Sequence, residues 1–173
     1  MSTKFTYALI LTVVQAIFNL LMYFAGFQTE RIATGQYFQW LGFVFIAVVL
    51  WLGIRALREE APGQHLSYGQ GVGGGVLISL YTGLMAAVYN FIHFKFINPN
   101  FADYVVDLNH EKWAARGMSD AQMEAAESMT RKMMSPAVQL FTTPVFMVLV
   151  GLIFSLIIAA ILKRNPPEEA VRN

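Results

Sequence analysis

The sequence predicts an all-α fold: a four-span transmembrane helical bundle with an amphipathic helical hairpin between spans 3 and 4. Residues 5–27, 32–54, 61–94 and 133–162 contain no Asp, Glu, Lys or Arg. Each stretch exceeds the ~20 helical residues that cross a hydrocarbon core of roughly 30 Å, whereas a water-exposed helix repeats charge along one face. Composition agrees, with 13% charged and 56% hydrophobic residues against about 25% charged in soluble domains. The third observation is the placement of polarity, since one long polar segment, 98–134, separates the last two apolar stretches.

The first span is expected over 5–27. Its apolar run is longer than the roughly 7–15 residues of a signal-peptide core, so it reads as a retained helix. A short polar turn, 28–36, leads to a second span over 37–56, with Arg55 and Arg58 at its end. Pro62-Gly63 breaks the helix there. The third span, 70–97, is longer than a crossing requires, which predicts tilt or protrusion, and Asn98-Pro99-Asn100 stops it. The fourth, 137–162, ends at Lys163-Arg164, before a polar tail with Pro166-Pro167. All of it forms a single integral membrane domain, 1–173.

In the segment 98–134, Phe101, Tyr104, Val105 and Leu108 recur at helical spacing, with Asp103, Asp107 and Glu111 off that face. Gly117 supplies a C-terminal stop. Ser119 and Gln122 then form a capping-box pattern, in which each side chain satisfies the other's backbone amide. Met123, Ala126, Thr130 and Met133 make the apolar stripe of a second helix, opposite Asp120, Glu124 and Glu127. Such a hairpin lies along the membrane surface or covers the mouth of the bundle.

Four crossings put both termini and the second-to-third connection on one side. Lys4, Arg55, Arg58, Lys163, Arg164 and Arg172 fall there, and Arg31, Lys95, Lys112, Arg116, Arg131 and Lys132 fall opposite. The basic residues are tied in number, so the positive-inside rule does not decide by count. Basic residues directly at helix ends favour cytoplasmic termini. Tyr23, Phe24, Phe27, Tyr37, Phe38, Trp40, Tyr89, Phe91, Phe94 and Phe96 cluster at the other boundary, as an interfacial aromatic belt does.

Gly71, Gly75, Ser79, Gly83 and Ala87 stand four residues apart, a continuous small-residue ridge on the third span. A ridge of this kind lets another backbone approach closely, from a helix of the same chain or from a second protomer. It is not a phosphate loop, for no Gly-Lys-Ser/Thr follows it. Gln15, Asn19 and Asn90 are candidate intramembrane polar contacts, hydrogen-bonding between helices or lining a pore. Ion-coupled transport needs a titratable group at depth, and no span has one near its middle. Thr142-Thr143-Pro144 predicts a kink whose freed carbonyl a Thr hydroxyl can satisfy. His65, His93 and His110 show no metal-ligand spacing, so His93 reads as an interfacial histidine. No catalytic, cofactor-binding or metal residues are expected. The chain has no cysteine, which excludes disulfides and thiolate chemistry. A net charge of +1 without a basic cluster argues against nucleic acid.

Gly53-Ile54-Arg55, Tyr68-Gly69-Gln70-Gly71, Pro99-Asn100-Phe101, Gly117-Met118-Ser119, Lys132-Met133-Met134 and Pro136 follow one another in a recognisable order. In that order and spacing the chain resembles the bacterial membrane proteins grouped as domain of unknown function 4199. Members commonly have Pro-Asp-Phe where this chain has Pro-Asn-Phe. The resemblance implies four helices with a long third-to-fourth loop, and no activity. The resulting expectation is a bacterial inner-membrane protein acting as a non-catalytic scaffold or accessory subunit. Its partners would be the lipid bilayer and a membrane protein or a second copy of the chain. The alternative is a small oligomeric transporter or channel using Gln15, Asn19 and Asn90. A membrane enzyme built on His93 and the acidic hairpin comes third.

Overall fold

The polar breaks of the sequence become helix ends in the computed structural model, which describes residues 2–164. The tail with Pro166-Pro167 and Arg172 lies outside the described residues. The helices are α1 (Thr3–Phe24), α2 (Ile32–Phe38), α3 (Trp40–Glu60), α4 (Tyr68–Ile92), α5 (Phe101–Ala115), α6 (Asp120–Met134) and α7 (Pro136–Leu162). A 3-10 turn, Pro62–Gln64, follows α3, and a π-helical turn, His93–Ile97, extends α4. Four segments are long and apolar enough to cross a membrane: Thr3–Phe24, Ile32–Glu60, Tyr68–Ile97 and Pro136–Leu162.

Two boundaries differ from the sequence expectation for physical reasons. The first helix stops at Phe24, three residues early, because the chain reverses through Gly26 at φ 77°, with the Phe27 and Arg31 amides bonded back. The segment 28–36 is only half a turn, since helix resumes at Ile32. Gly35 permits this, as a Cβ there would run into the Phe27 carbonyl. Gln39 keeps right-handed helical angles (φ −58°, ψ −27°), so α2 and α3 read on into one another. At its far end α3 continues to Glu60, beyond the expected residue 56, with Arg55 and Glu59 paired at 2.8 Å.

Ser67 and Gln70 cap α4 reciprocally, as Ser119 and Gln122 cap α6, and Ser135 caps α7 ahead of Pro136. These bonds satisfy amides that a helix start otherwise leaves open. Helix α4 takes the central place, packed on α1, α3 and above all α7. The Thr3 hydroxyl donates to the Glu60 carboxylate, and Leu66 and Arg164 exchange backbone bonds of 3.0 and 2.9 Å. The start of α1, the 61–67 connection and the end of α7 therefore share one end of the bundle; α2, α5 and α6 stand at the other, the hairpin end.

The small-residue ridge of α4 meets a second one on α7. A Cβ on Gly71 would stand 2.8 Å from that of Ala159, one on Gly75 would overlap Ser155, and one on Gly83 would lie 2.8 Å from Pro144 Cα. Ser79 reciprocates by filling the space over Gly151. Ala87, the last member of the ridge, is buried. The ridge thus packs within the chain, and Gly151, Ser155 and Ala159 repeat its four-residue spacing on the partner helix. Pro144 lies inside α7, and the nearby Thr142 hydroxyl donates to the Val138 carbonyl at 3.2 Å. That is not the carbonyl the proline frees, which belongs to Leu140.

A candidate ligand chamber at the hairpin end

Toward the hairpin end the helices enclose a cavity of about 310 Å³. Gln15 and Asn19 of α1, Gln39 just ahead of α3, Asn90 of α4 and Thr143 of α7 all line it. The polar residues picked out by sequence, Gln15, Asn19 and Asn90, thus share one space. Gln28, Gln39, Thr12 and Thr143 complete its polar lining, and Phe18, Phe27, Tyr89, Phe94, Phe101 and Phe146 supply its aromatic walls. Among the described residues, no acidic or basic side chain borders it.

A wider basin of about 630 Å³ lies outside, sharing Asn19, Gln39, Asn90, Phe94, Phe101 and Thr143 with the chamber. Its outer wall comes from α5 and the end of α6, through residues such as Val105, Leu108 and Met133. The apolar stripe predicted for α5 therefore faces the bundle mouth, and α6 contributes only its end, Met133 and Met134. Among the described residues, Lys112 is the one charged group at the basin, and its amine donates to Gln36 at 3.3 Å. On the outer side of the hairpin, Arg131 ties α6 to α5 by donating to Asp103, and bonds Glu127 at 2.9 Å. The Asp103 bond, then the Glu127 bond, hold the Arg131 guanidinium above its ordinary pKa.

One side of the chamber is an ordered network. Gln28 donates to Asn19, so its carbonyl oxygen accepts from His93 Nε2 at 2.9 Å. Assigned by these partners, His93 Nδ1 faces the Tyr89 hydroxyl at 3.3 Å, which also lies 3.2 Å from the Ala16 carbonyl. Asn98 closes the network by donating its side-chain amide to the Gln28 backbone carbonyl at 3.3 Å. His93 is fully buried between Tyr23, Tyr89 and Phe94. His93, read from sequence as an interfacial histidine, is instead buried on the inward face at the end of α4, where the π turn begins, with Gln28 and Tyr89 as its ring partners. Short π segments are frequent at functional positions of helices.

Other polar groups of the chamber remain available. Gln15 makes no side-chain hydrogen bond among the described residues, and Asn90 makes one at 3.4 Å, to Thr143. An amide left open in a bilayer is costly unless water or a ligand satisfies it. Toward the termini end the space is closed: Leu11, Leu50 and Ile78 are fully buried in a single apolar cluster, and Thr82 bonds the Ile78 carbonyl at 2.9 Å. The structure does not bring His93 together with the acids of the hairpin. Among the described residues no group of three or more His, Asp or Glu side chains converges as a metal site would.

Sequence reasoning missed Gln28, Gln39, Thr12 and Thr143. Gln28 and Gln39 sat in or beside an assumed surface turn, and the two threonines are common helix residues in lipid. Gln28 lies beside a charge-free run at a span end, which was a usable signal. No curated protein and no solved structure matches the chain. Residues 6–164 match the family described as protein of unknown function (DUF4199), and over nearly its whole length the chain belongs to that family.

Proposed function

We propose that this protein is a non-catalytic integral membrane accessory protein whose working part is the chamber, where it holds a small molecule. The observation that carries this reading is the convergence of Gln15, Asn19, Gln39, Asn90 and Thr143, from separate parts of the chain, on one cavity, with the Gln15 amide unpartnered among the described residues. A bundle serving only as a scaffold gains nothing from open amides within hydrocarbon. The solid floor of Leu11, Leu50 and Ile78 favours holding a ligand over conducting one.

A partner, in this reading, docks away from the α4 ridge, which α7 already occupies. Helix α6 offers the surface: none of its residues is buried, and Met129, which lines neither space, is exposed. Both chain ends are read as cytoplasmic in a bacterial inner membrane, from Arg55, Arg58, Lys163 and Arg164 at helix ends.

Native mass spectrometry of the protein from lipid nanodiscs tests the reading. A bound species of constant mass is expected, lost in Asn90→Leu and retained in Gly73→Ala, whose site faces open space. Wild-type protein that carries only bulk lipid in random stoichiometry would contradict it.

A further inference from the structure

The composition of the chamber wall extends the proposed function to a class of ligand. We propose that the chamber selects a single-chain amphiphile with an uncharged, hydrogen-bonding head, taken up sideways from the bilayer.

The head follows from what the deep lining contains and lacks. An ionised group placed there would give up its hydration and meet no opposite charge from the described residues, the costly case for a buried ion. The charge of the outer basin, Lys112, stands away from the deep lining and is already bonded to Gln36. Amides offer donors and acceptors together, and Gln15 retains both kinds. A hydroxyl-bearing or carbonyl-bearing head uses that mixture, whereas a purely apolar molecule leaves it unsatisfied.

The route follows from α3 and α7. Toward the termini end the two helices are joined, with Arg58 reaching the Leu162 carbonyl at 3.5 Å. At chamber level the cavity lies between them, with Gly42 and Ile46 of α3 and Phe146 and Met147 of α7 in its lining. Thr142 lines the basin and Phe146 lines both spaces, and both residues are exposed. On the α3 side Gly42 lines the chamber, and a Cβ there would meet nothing within 4 Å. Gly42, Thr142 and Phe146 all lie inside segments long and apolar enough to cross the bilayer, the level at which an opening between α3 and α7 would meet lipid. With Leu11, Leu50 and Ile78 filling the space beneath, no acyl chain fits below the head. The tail lies out through the side opening.

The test compares probes that share a chain and differ in the head: 1-monooleoylglycerol against oleate at pH 8, each titrated into full-length protein in phosphatidylcholine nanodiscs. Saturable binding of monooleoylglycerol is expected, with oleate about tenfold weaker or worse. Gln15→Leu should weaken monooleoylglycerol about tenfold. Gly42→Phe, placed in open space, should block uptake without lowering the melting temperature. Equal or tighter binding of oleate overturns the head assignment and leaves the ligand-holding function standing. Unchanged uptake in Gly42→Phe overturns lateral entry. No saturable binding of either probe, with a native ligand still seen in the mass spectra, overturns the ligand class alone. Without that native ligand, both proposals fall.

Discussion

Gly75→Ala probes the α4–α7 contact with a single methyl group. That methyl would occupy the volume of Ser155 Oγ and Cβ and stand 3.0 Å from Ile54 Cδ1. The helices cannot separate at this point alone, because Gly71 against Ala159 and Gly83 against Pro144 fix their spacing on either side. Overpacking a tight interior costs about 1–3 kcal/mol, and alanine returns about 1 kcal/mol of helix propensity relative to glycine. The net expectation is roughly 0–2 kcal/mol of destabilisation. Ser155→Gly removes the obstructing atoms and leaves a small void. Combining the two substitutions seats the new methyl in that void, so the double variant should be more stable than the sum predicts by about 0.5–3 kcal/mol. Gly73→Ala is the control on the same helix, for nothing lies within 4 Å of its Cβ. Equilibrium unfolding by titrating SDS into mixed micelles reads all four proteins. Equal behaviour of Gly75→Ala and Gly73→Ala, or zero coupling with Ser155→Gly, would refute close packing at this contact.

His93→Ala should lower stability by about 2–4 kcal/mol, since it empties a buried ring site and unpairs Gln28; a melting temperature within a degree of wild type would contradict the network. Reporter fusions after Lys163 and within residues 55–68 should score cytoplasmic and one within 102–131 should not; a split between the first two would break the four-crossing topology. Glu30 is fully exposed beside the turn that carries Gln28, and the Thr29 hydroxyl (2.7 Å) holds its carboxyl below the ordinary value, helped by its own backbone amide. A depressed folded pKa contributes stability above the unfolded value and loses it as pH falls through the folded one. Thr29→Val should return the Glu30 titration seen by NMR toward normal, and an unmoved titration would reject the Thr29 bond as its cause.

The spans were legible because charge is excluded from hydrocarbon, and the hairpin because its capping box and stripe follow local rules. Tertiary choices were less legible. Gly151, Ser155 and Ala159 stand at ridge spacing, but α7 is apolar all round, so periodicity gives no face. The partner of the buried His93 ring is Gln28, 65 residues earlier. Gln15, Asn19 and Asn90 could be named from sequence as polar residues in lipid, but their meeting in one chamber depends on how α1, α4 and α7 pack. Their open hydrogen-bonding capacity shows only once neighbours are in place.

Cysteine accessibility probes the open, blind chamber most directly, and the chain has no native cysteine to interfere. Gln15→Cys, Asn90→Cys and Thr143→Cys in reconstituted vesicles should react with a membrane-impermeant thiol reagent supplied from the hairpin side. Thr82→Cys and Ser79→Cys, at fully buried positions beside the floor residue Ile78, should stay unlabelled from either side. Labelling of Thr82→Cys or of the chamber positions from the termini side would mean a continuous pore; silence at Gln15, Asn90 and Thr143 together would contradict a chamber open to the hairpin side.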